Sequence, residues 1–287
     1  MYKAVLAALL YIGIVIGGYT LYDGYFGAPL AAADGAGHGN DGHDAATNAG
    51  EHEGGSEEHG QGGHDEHAAG AEGSNQVSAY IRSDKEGIDI FLKDSNGLAV
   101  HDLVVNHEKL LHLIVVDEHL QKYYHLHPEQ VEEGKFHVGY ILPEGFYRAF
   151  IDIKSEKLAY HVEPMPLVVG NPGVSVPGKA LQPDSVLEKT VEGESVKLKM
   201  SSSKTNVPVT LSFELDQSAL TPYLGAMGHV VILDEEANQY LHVHPINQEE
   251  PVFQTEFKKP GVYKIWAEFQ QNGKVRAFPF VVQIQGE

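Results

Sequence analysis

The chain has 287 residues, with 40 acidic against 20 basic side chains for a formal charge of −20, and it contains no cysteine. An acidic excess of that size excludes nucleic acid as a partner, because phosphate binding needs a positive surface. The lack of cysteine excludes disulfides, thiolate metal sites, iron–sulfur clusters and cysteine nucleophiles, and leaves His, Asp, Glu and Met as metal ligands.

Ala4 to Tyr22 is an uncharged, largely apolar run of 19 residues between Lys3 and Asp23. As a helix it would be about 28 Å long, close to the hydrocarbon thickness of a bilayer. The only early basic residue precedes the run and the next is Arg82, so the body is expected on the extracytoplasmic side. Residues 1–27 read either as a retained signal-anchor crossing the cytoplasmic membrane once, or as a signal helix. Cleavage near Ala33 in the second case would give a secreted or periplasmic protein. Residues 28–78 read as a disordered tether, because Asp34 to Asn75 is rich in Gly, His and acidic residues, lacks Lys and Arg, and has little apolar area to bury. Its irregularly spaced histidines, His38, His43, His52, His59, His64 and His67, suit either a solvated spacer or weak multivalent capture of metal ions.

Beyond residue 78, short β-branched and aromatic runs alternate with Gly, Pro, Asn and Asp turns, which predicts an all-β body. Ile88 to Leu92, Leu110 to Val116, Asp184 to Glu188 and Ser195 to Met200 are expected strands, and Pro-rich Glu163 to Pro183 an extended connector. The stretch HLIVVDEHLQKYYHLHP from His112 to Pro128 aligns without gaps on HVVILDEEANQYLHVHP from His229 to Pro245, an offset of 117. The correspondence continues, one residue shorter, to Glu144–Tyr147 against Pro260–Tyr263. Such an internal repeat predicts duplicated domains, at 79–171 and 172–287. Two tandem immunoglobulin-like antiparallel β-sandwiches fit the short strands and frequent turns.

The repeat carries a histidine pattern. If Glu118 to Gln121 is a hairpin loop, cross-strand positions sum to 239 and His112 lies opposite His127, with His125 diagonal on the same face. The second copy gives a sum of 473, placing His229 opposite His244 and His242 diagonal. Three imidazoles on one face can converge on one ion, and a one-residue slip would defeat the site. His107 offers a further ligand in the first copy. Met227 offers a soft one, suited to Cu(I), in the second. Tyr123 and Tyr240 lie on the same faces, where they either orient a ligand or cover the core edge. The competing expectation is a structural, hydrogen-bonded histidine cluster.

Three segments, Asn106–Pro128, Thr221–Pro245 and Phe257–Val282, with the motifs HEK-x-x-HL and YLGA-x-GH-x-V-x-L, resemble a largely uncharacterised bacterial family of secreted or membrane-anchored proteins. Its members are often described as metal-binding or copper-associated. The resemblance covers roughly residues 85–284 and implies export and metal binding, with His112, His125 and His127 matching the first motif and His229, His242 and His244 the second. The expected function is extracytoplasmic binding, buffering or delivery of copper or zinc by a membrane-associated protein that is not an enzyme. The alternatives are a noncatalytic adhesion or complex-assembly module docking an envelope protein, and a metal-dependent hydrolase. No nucleophile elbow, H-E-x-x-H helix or phosphate loop supports the last.

Overall fold

Alternation of apolar and polar side chains sets the outer strands. In Glu194–Met200 Val196 and Leu198 turn inward with Met200 at the edge of the core, and in Pro208–Glu214 Val209, Leu211 and Phe213 do. That is the signature of a sheet with one face on a core and one in water. A computed structural model describes residues 74–243 and 245–286; the expected N-terminal anchor or signal, most of the tether and His244 lie outside them. Among the described residues no helix is long and apolar enough to cross a membrane.

The first half contains β1 (Val77–Asp84), β2 (Gly87–Asp94), β3 (Leu103–Val104), β4 (Leu111–Asp117), β5 (Tyr123–Leu126), β6 (Glu129–Glu132), β7 (Lys135–Val138), β8 (Gly145–Ser155) and β9 (Met165–Val169). The second contains β10 (Glu188–Val191), β11 (Glu194–Met200), β12 (Pro208–Glu214), β13 (Leu220–Thr221), β14 (His229–Asp234), β15 (Tyr240–Val243), β16 (Val252–Glu256), β17 (Gly261–Gln271) and β18 (Lys274–Ile284), with a 3₁₀ turn at Gln217–Ala219. Each half has an outer antiparallel sheet, β1-β2-β7-β6 or β10-β11-β12-β16, and an inner one. The inner sheets run β3-β8-β4-β5, with β9 on β8, and β13-β17-β14-β15, with β18 on β17. Outer and inner sheets enclose one apolar core per half, so the chain has two β-rich domains built as antiparallel sandwiches.

Two expectations need correction. The strand expected from Asp184 begins only at Glu188, because the Asp184 carboxylate is engaged with the Val281 N–H and the Lys189 ammonium. The Pro-rich connector contains a strand, β9, paired with β8; Pro166 is tolerated there because β9 lies at the sheet edge.

The inner strands are unlike the outer ones. Every residue of β4 before Asp117 is buried, and every residue of β14 before Asp234, so both faces of these strands are covered. One face belongs to the half's own core. The other forms a third apolar cluster, in which Ile114, Val116 and Phe150 meet Val231, Leu233, Tyr240 and Trp266. The two inner sheets therefore pack on each other, and the repeat meets itself as an isologous pair would. Tyr123 stacks on Trp266 at 4.9 Å between ring centroids, and its counterpart Tyr240 stacks on Phe150, the counterpart of Trp266, at 5.1 Å. Each sandwich also closes with a tyrosine that donates to a carbonyl four residues upstream: Tyr147 to Pro143 and Tyr263 to Lys259, both at 2.8 Å.

Candidate metal centre

The placement of the histidines starts at two aspartates. Asp117 Oδ1 accepts the N–H groups of Gln121 and Lys122, and Asp234 Oδ1 those of Asn238 and Gln239. Each carboxylate closes a four-residue loop in which one non-glycine residue, Leu120 or Ala237, takes positive φ. Loop length fixes register. Ile114 pairs with His125 and Val231 with His242, the sums of 239 and 473 expected from the sequence.

A second paired device sits at the other end of β4 and β14. Asn106 and Lys109 bridge across a tight turn at His107–Glu108, and Tyr223 and Ala226 across one at Leu224–Gly225, with all four central residues at positive φ. These turns aim two carbonyls at the histidines: His112 Nε2 donates to Asn106 O and His229 Nε2 to Tyr223 O, both at 3.0 Å. A carbonyl only accepts, so each bond fixes the proton on Nε2 and the lone pair of the neutral ring on Nδ1.

In the first half, His112, His125 and His127 each offer a ring nitrogen, and these atoms lie within 4.8 Å of one another. Such a trio can hold a metal ion. His112 Nδ1 is 3.0 Å from His125 Nε2, while His127 Nε2 is buried without a hydrogen-bond partner among the described residues. His229 and His242 do not lie on a distant face, as they would in two independent copies. They face the first trio across the seam, with ring centroids of His112 and His242 only 5.1 Å apart and those of His125 and His229 5.8 Å apart. His107 reaches the same group, 6.2 Å from His229 and 6.3 Å from His242. Met227 is half-buried two residues before His229.

The chamber is completed by two carboxylates that sequence reasoning passed over. Glu268 Oε2 lies 2.5 Å from His125 Nδ1, and Asp152 Oδ2 lies 2.9 Å from His242 Nδ1, each reaching a histidine of the opposite half. Asp152 and Glu268 occupy matching registers, opposite His112 and His229 on the neighbouring strands. Asp152 also accepts the Tyr240 hydroxyl at 3.1 Å. Tyr123 faces Glu268 in the corresponding place, without a hydrogen bond of good geometry. The available signal was an acid inside otherwise apolar runs, FYRAFIDIK and VYKIWAEFQ, at equivalent positions.

Burial dominates the electrostatics. It pushes the His112 imidazolium pKa down to about 4 and that of His127 to about 2, with neighbouring histidines adding to the effect. It holds His125 and His229 well below the ordinary histidine range. The same burial raises the Glu268 carboxyl to about 8. A dry chamber favours uncharged partners on both sides of the His125–Glu268 contact. The Glu268 carboxylic acid then donates to His125 Nδ1, His125 Nε2–H donates to His112 Nδ1, and His112 Nε2–H donates to Asn106. That chain of donors accounts for the close approach of two ring nitrogens.

The family model described as "Domain of unknown function (DUF8832)" matches residues 79–169 and 189–286, the two stretches that carry the paired histidine hairpins. The chain belongs to the DUF8832 family. No curated protein matches it. Among solved structures, a two-fibronectin-type-III-domain segment from chicken tenascin aligns over 73% of this chain and 99% of its own length, at 10% identity and a TM-score of 0.22. That score is too low to bear on fold or function. In this DUF8832 chain the chamber itself is the guide.

Proposed function

We propose that the protein binds a transition-metal ion, copper or zinc, outside the cytoplasm and holds it for buffering or delivery. The observation that carries this reading is the trio His112, His125 and His127, with ring nitrogens within 4.8 Å of one another in a setting that keeps imidazoles unprotonated. Neutral imidazole is the form that ligates either ion. Met227 would favour copper in its reduced state, whereas three imidazoles with an open position suit zinc equally. Uptake would displace the proton between His125 and His112: the Glu268 proton passes to His125 Nδ1, one proton leaves, and Glu268 becomes the carboxylate that orients the ligand. The apolar run at Ala4–Tyr22 supports a membrane-associated, extracytoplasmic location, and the tether histidines would raise the local supply of ions.

A second reading is a noncatalytic assembly module whose histidines are structural. It is favoured by the Tyr240–Asp152–His242 network, which ties the two inner sheets together by hydrogen bonds. Titration with Zn(II), Cu(II) and Cu(I) separates the two, using the full chain beside a His112→Ala/His125→Ala/His127→Ala variant that carries the same tether. Metal binding requires a tight class of sites in the native chain that the variant lacks. Identical isotherms would overturn the metal reading in favour of the structural one.

A further inference from the structure

Which atoms would surround the ion depends on how the two halves meet, and here the rings themselves are informative. His112 and His125 come from the first half, His229 and His242 from the second. Their six centroid separations are 5.3, 6.4, 5.1, 5.8, 5.4 and 5.8 Å. Four points that are all nearly equidistant form a tetrahedron. A tetrahedral ion with nitrogens at about 2.0–2.1 Å would place four imidazole centroids about 5 Å apart, so the longest edge would close by about an ångström and the others by less.

Each ring also has its outward nitrogen engaged. His112 and His229 present Nε2 to the carbonyls of Asn106 and Tyr223, while His125 and His242 present Nδ1 to Glu268 and Asp152. Outer hydrogen bonds of this kind select the tautomer and orientation of metal-ligating histidines. The opposite ring nitrogens, Nδ1 of His112 and His229 and Nε2 of His125 and His242, are the candidate ligand atoms. The pattern obeys the internal two-fold of the repeat. His127 lies at one end, 5.0 Å from His112 and 4.6 Å from His125, beside Tyr223 at 6.3 Å.

We infer that a single ion rests between the two inner sheets, held by His112, His125, His229 and His242, two ligands from each half, with His127 an accessory ligand. The inference builds on the metal reading above and commits it to a ligand set. It makes the bound ion a clasp across the seam, and by linkage it makes packing of the halves a condition for tight binding. With four histidines around the ion and His127 within reach of it, the site also fits storage or transfer better than activation of water.

The test uses the full chain and five single variants, His112→Ala, His125→Ala, His127→Ala, His229→Ala and His242→Ala, so that uptake by the tether is a common background. Zn(II) affinity of the tightest class is measured by competition with a chelator, after urea unfolding without metal shows which variants fold. A tetrad predicts a loss of at least about 100-fold in each of the four and less than about tenfold in His127→Ala. Undiminished tight binding in His229→Ala and His242→Ala, with loss in His127→Ala, overturns the tetrad and leaves a metal site in the first half alone. A native chain with no tighter class than the His112→Ala variant sinks the metal reading itself and the tetrad with it. X-ray absorption of the native chain with one equivalent of Zn(II) decides the matter even if a variant does not fold: four imidazole ligands are expected, and three overturn the inference.

Discussion

The two carboxylates of the chamber hold matching positions but are used differently, and the difference shows what the repeat keeps and what it varies. Asp152 accepts two side-chain donors, Tyr240 and His242, on one oxygen. Glu268, one methylene longer, closes to 2.5 Å on His125 and leaves the Tyr123 hydroxyl without a good bond. Elements that set register, the Asp117 and Asp234 loops and the Asn106 and Tyr223 carbonyls, are equivalent in both copies. The residues that touch the far half have diverged in length and ring size, as Phe150 and Trp266 also have. Duplication supplied the scaffold, and the seam was then fitted asymmetrically.

The largest expected effect tests that asymmetry directly. Asp152→Ala leaves two buried donors unanswered and should cost about 3–5 kcal/mol of stability. Glu268→Ala removes the partner of one neutral ring and should cost about 1–3 kcal/mol. Urea denaturation in the presence of a chelator measures both. Cavity size alone predicts the reverse order, because glutamate is the larger side chain, so a greater loss in Glu268→Ala would refute the proposed difference between the carboxylates.

Acid sharpens the same contrast through two opposing linkages. Unfolded histidines titrate near 6.5, whereas burial holds His112 to about 4, His127 to about 2, and His125 and His229 well below 6.5. The unfolded chain thus takes up protons that the native chain refuses, and stability present above pH 6.5 is lost as pH falls toward 4. Glu268 works the other way: its folded pKa of about 8 exceeds the unfolded value near 4.3, so its contribution is present at low pH and lost as pH rises through 8. Metal-free stability should therefore peak near neutrality and fall by several kcal/mol toward pH 4.5, with a slope of about three protons. Glu268→Gln should remove the alkaline decline and keep the acid one. A stability flat from pH 7 to pH 5 would contradict the burial of neutral histidines.

Much of the local structure was legible in the sequence, and for identifiable reasons. Aspartate before a four-residue loop, repeated at 117 and 234, fixes hairpin register by hydrogen bonds within a few residues, so His112, His125 and His127 could be put on one face without tertiary information. The same holds for His229 and His242. What could not be read was where those faces point. Both faces of β4 and β14 are apolar, and nothing local distinguishes the face on its own core from the face on the other half. Packing of the inner sheets turned His112 and His125 toward His229 and His242 and brought Asp152 and Glu268 to rings far from them in sequence.

The smallest expected effect lies at the turns that aim the carbonyls, where the copies differ in backbone strain. The second copy places Gly225 at φ 72°, while the first holds His107 at φ 49° and Glu108 at φ 63°. Two adjacent non-glycine residues in the left-handed region carry strain of about 1 kcal/mol each, which glycine would relieve; its greater freedom in the unfolded chain takes back part of the gain. Glu108→Gly should therefore stabilise the metal-free protein by about 0.5–1 kcal/mol, seen as a higher Tm, without moving the Asn106 carbonyl from His112. Gly225→Ala should have the opposite sign, since its Cβ would stand 3.2 Å from Glu108 Oε1 at a φ that L-residues rarely adopt. If Glu108→Gly instead lowers Tm, the Glu108 side chain over Gly225 contributes more by contact between the two turns than its backbone costs, and the turns help hold the two halves together.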